Sequence, residues 1–197
     1  MTRTVLRQAA AGLRVLIALT LITGALYPVV VWGIAQLAFE HKADGSKVSL
    51  GGRTVGSRLI GQGFTGARWF HSRPSAAGPH GYDPLSSGAS NLGPENRTLL
   101  GQVRQRRAAA ADQDGIRPSR VPADALTASG SGLDPYVSPS YARRQTARVA
   151  RARHLPEQRV AALVSDHVDG RMLGFLGAPR VNVLELNLAL ERLRRRG

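Results

Sequence analysis

No cysteine occurs in the 197 residues. That absence excludes disulfide staples, thiolate metal sites and cysteine nucleophiles, and it suits an oxidising compartment. Lysine is nearly absent as well: Lys42 and Lys47 stand alone among the arginines, and no Gly-Lys pair exists. A Walker A loop needs Gly-Lys followed by Ser or Thr, so that phosphate site is excluded. Gly88-Ala89-Ser90-Asn91-Leu92 lacks the closing glycine of a hydrolase nucleophile elbow. The five histidines, His41, His71, His80, His154 and His167, contain no His-Glu-x-x-His pair. His71 and His80 share a stretch with Asp83, a set with the chemistry of a weak metal site. Local hydrogen bonding is the favoured account of those three, and no metal is expected. Aromatic residues make up only 5% and do not interleave with the arginines. A base-stacking platform for single-stranded nucleic acid is therefore not expected.

One long apolar run is present, Val15 to Ala35, VLIALTLITGALYPVVVWGIA, with no charge in 21 residues. As a helix it covers roughly 31 Å, the hydrocarbon thickness of a bilayer. Its eleven Val, Leu and Ile residues favour insertion by roughly 5 kcal/mol before the small penalties of Gly, Pro and Thr. Arg3, Arg7 and Arg14 precede it, and Gly33-Ile34-Ala35 has the small residues of a cleavage site. A signal peptide, however, carries an apolar stretch of only about 7–15 residues. The arginines predict a cytoplasmic N-terminus over residues 1–14, a membrane helix over 15–37 and an extracytoplasmic domain over 38–197.

Basic residues number 27 against 13 acids, for a net charge of +14. Arg143, Arg144, Arg148, Arg151 and Arg153 fall in one predicted helix, Arg104, Arg106 and Arg107 in another, and Arg194-Arg195-Arg196 near the end. A solvated basic face, or contact with anionic headgroups or an acidic partner, is the favoured reading over nucleic acid.

Lys47–Leu50 and Arg53–Ser57 flank Gly51-Gly52 and predict a hairpin, with Leu59 and Ile60 as its extension. Ala43–Ser46 before it reads as a turn. Gly61–Asn91 is rich in Gly, Pro and Ser, yet its Phe64, Trp69, Phe70 and Tyr82 argue for packing. Pro94 predicts a helix to about Ala110, and residues 111–139 read as loop. Asn96-Arg97-Thr98 is a glycosylation triplet of a kind common by chance. Ser138 and Pro139 cap a helix to about Arg153, and Leu155-Pro156-Glu157 opens another. Arg171–Leu176 and Arg180–Val183 read as short strands, and Asn182 with Glu185 as the capping box of a last helix. The fold class expected is α+β: one membrane helix followed by one α+β domain.

Several blocks resemble a known family: Leu21–Gly24 with Tyr27-Pro28; Ala43–Ser46; Gly56-Ser57 through Leu59–Gln62 and Phe64–Gly66; Phe70-His71 with Arg73–Ala76; Ser87–Leu92; Leu126–Asp134; Gln145 with Arg148–Ala150 and Ala152-Arg153; and Val181–Leu190. Together, in this order, they are similar to KdpC, the single-span subunit of the bacterial Kdp potassium-transporting P-type ATPase. The resemblance implies an accessory subunit in the bacterial inner membrane. It would sit beside a channel-like potassium-translocating subunit and an ATP-hydrolysing subunit, its helix packed against them and the lipid bilayer. Gly24, Tyr27, Pro28 and Trp32 are the contact residues expected. The chain has no Asp-Lys-Thr-Gly segment, so it is not expected to be the phosphorylated subunit or an enzyme in itself. The family is also described as a catalytic chaperone that raises the pump's ATP affinity, which implies a nucleotide loop at Ser87, Gly88, Ala89, Ser90 and Asn91. Leu85 and Ala89 depart from the usual Gln and Gly there, and the expected topology puts the loop on the side away from ATP. A structural role for the loop is the physically favoured reading. A free-standing polyanion-binding module using the helix 139–153 is the alternative function.

Overall fold

A computed structural model describes residues 2–195, with side chains as far as Leu193. The basic tail Arg194-Arg195-Arg196 lies outside those side chains. The chain divides into two units, Met1–Lys47 and Val48–Gly197.

The first unit is helix α1 (Thr2–Leu21), a π-turn (Ile22–Leu26) and helix α2 (Tyr27–Ala43). The π-turn has a local cause. Pro28 has no N–H for the carbonyl four residues back, that of Gly24, and its ring crowds that oxygen. Widening the helix just before the proline relieves the crowding. Thr23 Oγ1 donates to Leu19 O at 2.7 Å within the same turn. Phe39 leaves helical geometry (φ −141°, ψ 37°). Ser46 N–H then donates back to His41 O at 2.9 Å and closes the helix.

From Lys47, the last residue of the first unit, the expected hairpin follows, β1 (Lys47–Leu50) and β2 (Arg53–Ser57). Leu59 and Ile60 do not extend it; Ile60 N–H turns back to Ser57 O. Helix α3 (Arg97–Asp114) starts three residues after Pro94. Asn96 decides the start, because its Oδ1 accepts from the N–H groups of Thr98 and Leu99 at 2.8 and 3.3 Å. The helix outlasts Ala110 and stops at Gly115, which takes the left-handed φ of 65°. The predicted loop 111–139 thus holds the end of α3, two short 3₁₀ turns (Pro118–Arg120 and Ala123–Ala125) and β3 (Tyr136–Val137).

Helix α4 (Pro139–Arg153) has the expected cap, Ser138 Oγ accepting from Tyr141 N–H at 3.0 Å. Helix α5 (Glu157–Asp166) leads into β4 (Val168–Asp169), which the sequence reading missed. Arg171–Leu176, expected as a strand, is instead an exposed turn held by a single Met172–Leu176 bridge. Positive φ at Leu173, Gly174 and Gly177 reverses the chain before it can run extended. Strand β5 (Arg180–Asn182) lies between β3 and β4, antiparallel to both, with Val181 opposite Val137 and Val168. Asn182 Oδ1 accepts from Glu185 N–H at 3.1 Å and opens α6 (Val183–Arg195).

The apolar faces of α4, α5 and α6 close over this sheet. Val149, Val160, Val164, Val181, Leu186 and Leu190 are fully buried, with Phe70 among them. Each such side chain stabilises the fold by about 1.5–3 kcal/mol.

Candidate functional site

Gly61–Asn91 forms neither helix nor strand, so its buried backbone groups need other partners. Two amides supply them. Gln145 of α4 accepts from His71 N–H at 2.7 Å and donates to His71 O at 3.1 Å. Asn187 of α6 does the same for Phe70, at 2.9 Å both ways. Each amide presents one donor and one acceptor, as a neighbouring strand would, and so substitutes for a ladder. Between them Phe70 is driven fully into the core.

Arg148 completes the clamp. Its Nε donates to Asp114 Oδ1 at 2.7 Å, its Nη1 to the carbonyls of Ala67 and Trp69 at 2.7 and 2.9 Å, and its Nη2 to Gln145 Oε1 at 2.8 Å. Arg153 donates to Arg68 O and Glu191, each at 2.7 Å, and stacks 4.5 Å from the Trp69 ring. These two arginines correct the solvated basic face expected for α4. Their side chains are 5% and 3% exposed, because they pair with acids and carbonyls of the extended segment. Arg143 and Arg151 of that helix remain exposed.

Further along, Ser75 Oγ donates to Gly132 O at 2.6 Å and accepts from Ala77 and Tyr82 N–H. Arg73 pairs with Asp134 at 3.1 Å. The Ser87–Asn91 loop lies against Ser131–Gly132. Gly88 N–H and Ser87 Oγ both donate to Ser131 O, at 2.8 and 3.0 Å. Gly132 (φ 68°) is required at this crossing, since a Cβ there would meet Gly88 O at 2.6 Å and Ala77 N at 2.7 Å.

A cleft of about 390 Å³ opens between this segment and α3, lined by His71, Arg73, His80, Tyr82, Arg106 and Tyr141 among others. His71 Nε2 donates to Gly66 O at 2.9 Å. Burial holds the His71 pKa below its ordinary value, outweighing that hydrogen bond. Burial also pushes the Tyr82 phenol up to about 12 and the Tyr141 phenol higher still. Asp83, grouped with the two histidines in the sequence, instead accepts from Leu85 N–H at 2.9 Å. Among the described residues no three His, Cys, Asp or Glu side chains gather as a metal site.

In the first unit Gly24 lies in the π-turn, Tyr27 and Pro28 follow it directly, and Trp32 lies farther along α2. Tyr27 and Trp32 are 65% and 64% exposed, and a Cβ at Gly24 would meet nothing within 4 Å. Among the described residues this is the one helix long and apolar enough to cross a membrane.

Comparison with known proteins decides the family. The model of KdpC, described as the K+-transporting ATPase c chain, matches residues 9–192. The chain belongs to the KdpC family. A potassium-transporting ATPase KdpC subunit from Kineococcus radiotolerans is 62% identical over 185 residues, covering 94% of this chain and 93% of that protein. Those from Gemmatimonas aurantiaca and Rhodospirillum rubrum are each 54% identical, over 176 and 174 residues. They cover 89% and 88% of this chain, and 88% and 90% of their own lengths.

Several of the blocks that resemble KdpC, all in the second unit, meet in the clamp. Phe70-His71, Gln145, Arg148, Arg153 and Asn187 hold one end, while Ser75, Ser87-Gly88 and Ser131–Asp134 hold the other. These KdpC motifs read as folding instructions for a segment without regular structure. Their type hints at this in the sequence, since Gln, Asn and Arg on otherwise apolar helix faces need buried partners. Which partners they take was not visible there.

Proposed function

We propose that this chain is a non-catalytic accessory subunit of a high-affinity potassium-uptake ATPase, held in the bacterial inner membrane by its apolar helix. The observation that carries this reading is the helix Thr2–Ala43, apolar and with none of its residues buried, in a chain of the KdpC family. The helix packs against a channel-like potassium-translocating subunit and an ATP-hydrolysing subunit. Gly24 admits close backbone approach, and the bulge before Pro28 presents Tyr27 and Trp32. The N-terminus is cytoplasmic. The second unit lies outside, where it stabilises the assembly and covers the potassium entrance.

For Ser87–Asn91 we favour docking on Ser131–Gly132 over nucleotide contact, because Gly88 N–H and Ser87 Oγ already serve Ser131 O. The chaperone reading requires backbone N–H groups turned to a phosphate. The polyanion-module alternative is weakened by the pairing of Arg148 and Arg153 inside the fold.

The test is purification through a C-terminal tag in mild detergent. A stable multi-subunit complex with potassium-stimulated ATPase supports the proposal. A lone chain that binds polyanions in a salt-sensitive way refutes it.

A further inference from the structure

No Asp or Glu lines the cleft of about 390 Å³ between α3 and the Gly63–Tyr82 stretch. Most of its polar groups already have partners. Tyr82 Oη donates to Arg73 O, and the Arg73 guanidinium is paired with Asp134. His71 Nε2 donates to Gly66 O, and the Gln113 side chain is hydrogen-bonded to the same ring. Ser72 Oγ donates to Gln62 O and Ser75 Oγ to Gly132 O.

Two donors are left over. The first is Tyr141 of α4. Only 6% of the residue is exposed, yet its phenol has no hydrogen-bond partner among the described residues. Burial raises its pKa above the ordinary phenol value, so it remains an O–H donor. A buried hydroxyl left without a partner costs about 1–3 kcal/mol. The second is Arg106 of α3, half-buried, with Nη1 donating to Leu126 O at 2.9 Å. No acid pairs with it among the described residues, and burial alone acts on its charge. The carboxylates that act on the two tyrosines are taken. Asp114 holds Arg148, Asp134 holds Arg73, and Asp124 accepts from the N–H and hydroxyl of Ser138. Ala125 links the two donors: it lines the cleft, packs in the core cluster of Tyr141 and precedes Leu126.

Arg106, Ala109, Ala110 and Gln113 recur at i, i+3, i+4 and i+7, which puts them on one stripe of α3. The two alanines leave the space over that stripe open. With Phe64 and Pro74 they give the cleft an apolar lining. We propose that this cleft binds a small organic anion, its phosphate or carboxylate head held by the Arg106 guanidinium and the Tyr141 hydroxyl, its apolar body over Ala109 and Ala110. A guanidinium and a phenol O–H make charge-assisted hydrogen bonds to an oxyanion, and an apolar lining with a few convergent donors suits a small ligand. The same head occurs on soluble anions and on anionic lipids. A cleft of this volume takes a compact body, which favours the soluble source. The inference is independent of the accessory-subunit reading.

The full chain in phosphatidylcholine nanodiscs is titrated calorimetrically, at constant ionic strength, with phenyl phosphate, benzoate, inorganic phosphate and acetate. Saturable binding of a ring-bearing anion is expected, on the order of tenfold tighter than its ringless counterpart. Tyr141→Phe keeps the ring in the core and should weaken that binding on the order of tenfold. Arg106→Gln keeps a donor for Leu126 O and should weaken it at least as much. Arg104→Gln, exposed on the same helix, should change it by less than about twofold. Melting profiles check that each variant is folded. Ala109→Leu adds bulk at an exposed position of the cleft wall and should abolish binding without touching either donor. Absence of saturable binding by both ring-bearing anions overturns the inference. So does a loss in Arg104→Gln equal to that in Arg106→Gln, which would reduce the effect to general basic charge. Equal affinity of ringed and ringless anions overturns the apolar body. Loss of phenyl phosphate binding in phosphatidylglycerol nanodiscs overturns the soluble source in favour of a lipid head group.

Discussion

Arg148 Nε lies 2.7 Å from Asp114 Oδ1, and the two side chains are 5% and 3% exposed. This ion pair links α4 to the last turn of α3. The same guanidinium holds the carbonyls of Ala67 and Trp69, so one charged group organises three parts of the chain. Arg148→Met leaves a buried, uncompensated Asp114 and is expected to destabilise the fold by about 3–5 kcal/mol. The Arg148→Met/Asp114→Leu double variant should recover much of that loss, since it removes both buried charges. Arg148→Lys should rescue little, because one ammonium cannot span acceptors arranged for a planar fork. Urea unfolding of these three variants, wild type and Asp114→Leu alone in one detergent measures the coupling; additive losses would contradict it.

Gly132 and Gly88 meet at the crossing of two loops, and they should respond oppositely to a methyl group. Gly132→Ala forces a Cβ to within 2.6 Å of Gly88 O at a φ of 68°. It should destabilise by about 2–4 kcal/mol and speed hydrogen exchange over residues 84–91. Gly88→Ala meets nothing within 4 Å, so its stability should stay within about 0.5 kcal/mol of wild type. If the loop is structural, Gly88→Ala also leaves the assembled pump's ATP affinity unchanged. A clear fall in that affinity would favour the nucleotide reading.

The His71 pKa is lowered from 6.5, chiefly by burial. Below 6.5 the unfolded chain therefore takes up a proton more readily than the folded one. The stabilising contribution is complete above that value and is lost as pH falls toward the lower folded pKa. Stability should drop on acidification through this window, and His71→Gln should flatten that part of the curve. Urea midpoints taken at half-unit pH steps provide the check. An identical slope in the variant would assign the acid sensitivity to other groups.

Elements whose start and stop signals are local were legible in the sequence. Ser138-Pro139 opened α4 and Asn182 opened α6, because each cap acts within three or four residues. The start of α3 was misplaced because Pro94 and Asn96 compete as signals, and the Asn96 side chain prevails. Arg171–Leu176 was misread because a short apolar run resembles a strand, while the reversal depends on positive φ at Leu173 and Gly174. The basic face of α4 was misjudged for a different reason. Nothing near Arg148 or Arg153 in the sequence announces Asp114 or Glu191, which lie 34 and 38 residues away.

The sequence by itself determined what depends on neighbours along the chain: an apolar helix of membrane length, the capped helices, the glycine hairpin and the family. Tertiary structure decided which arginines carry charge to solvent and which bury it, how Gly61–Asn91 is held without regular structure, and that Met172–Leu176 stands outside the core. Capping and periodicity act over one or two turns. The partners of Gln145, Arg148 and Asn187 are up to 117 residues away and become neighbours only when α4 and α6 close over the sheet.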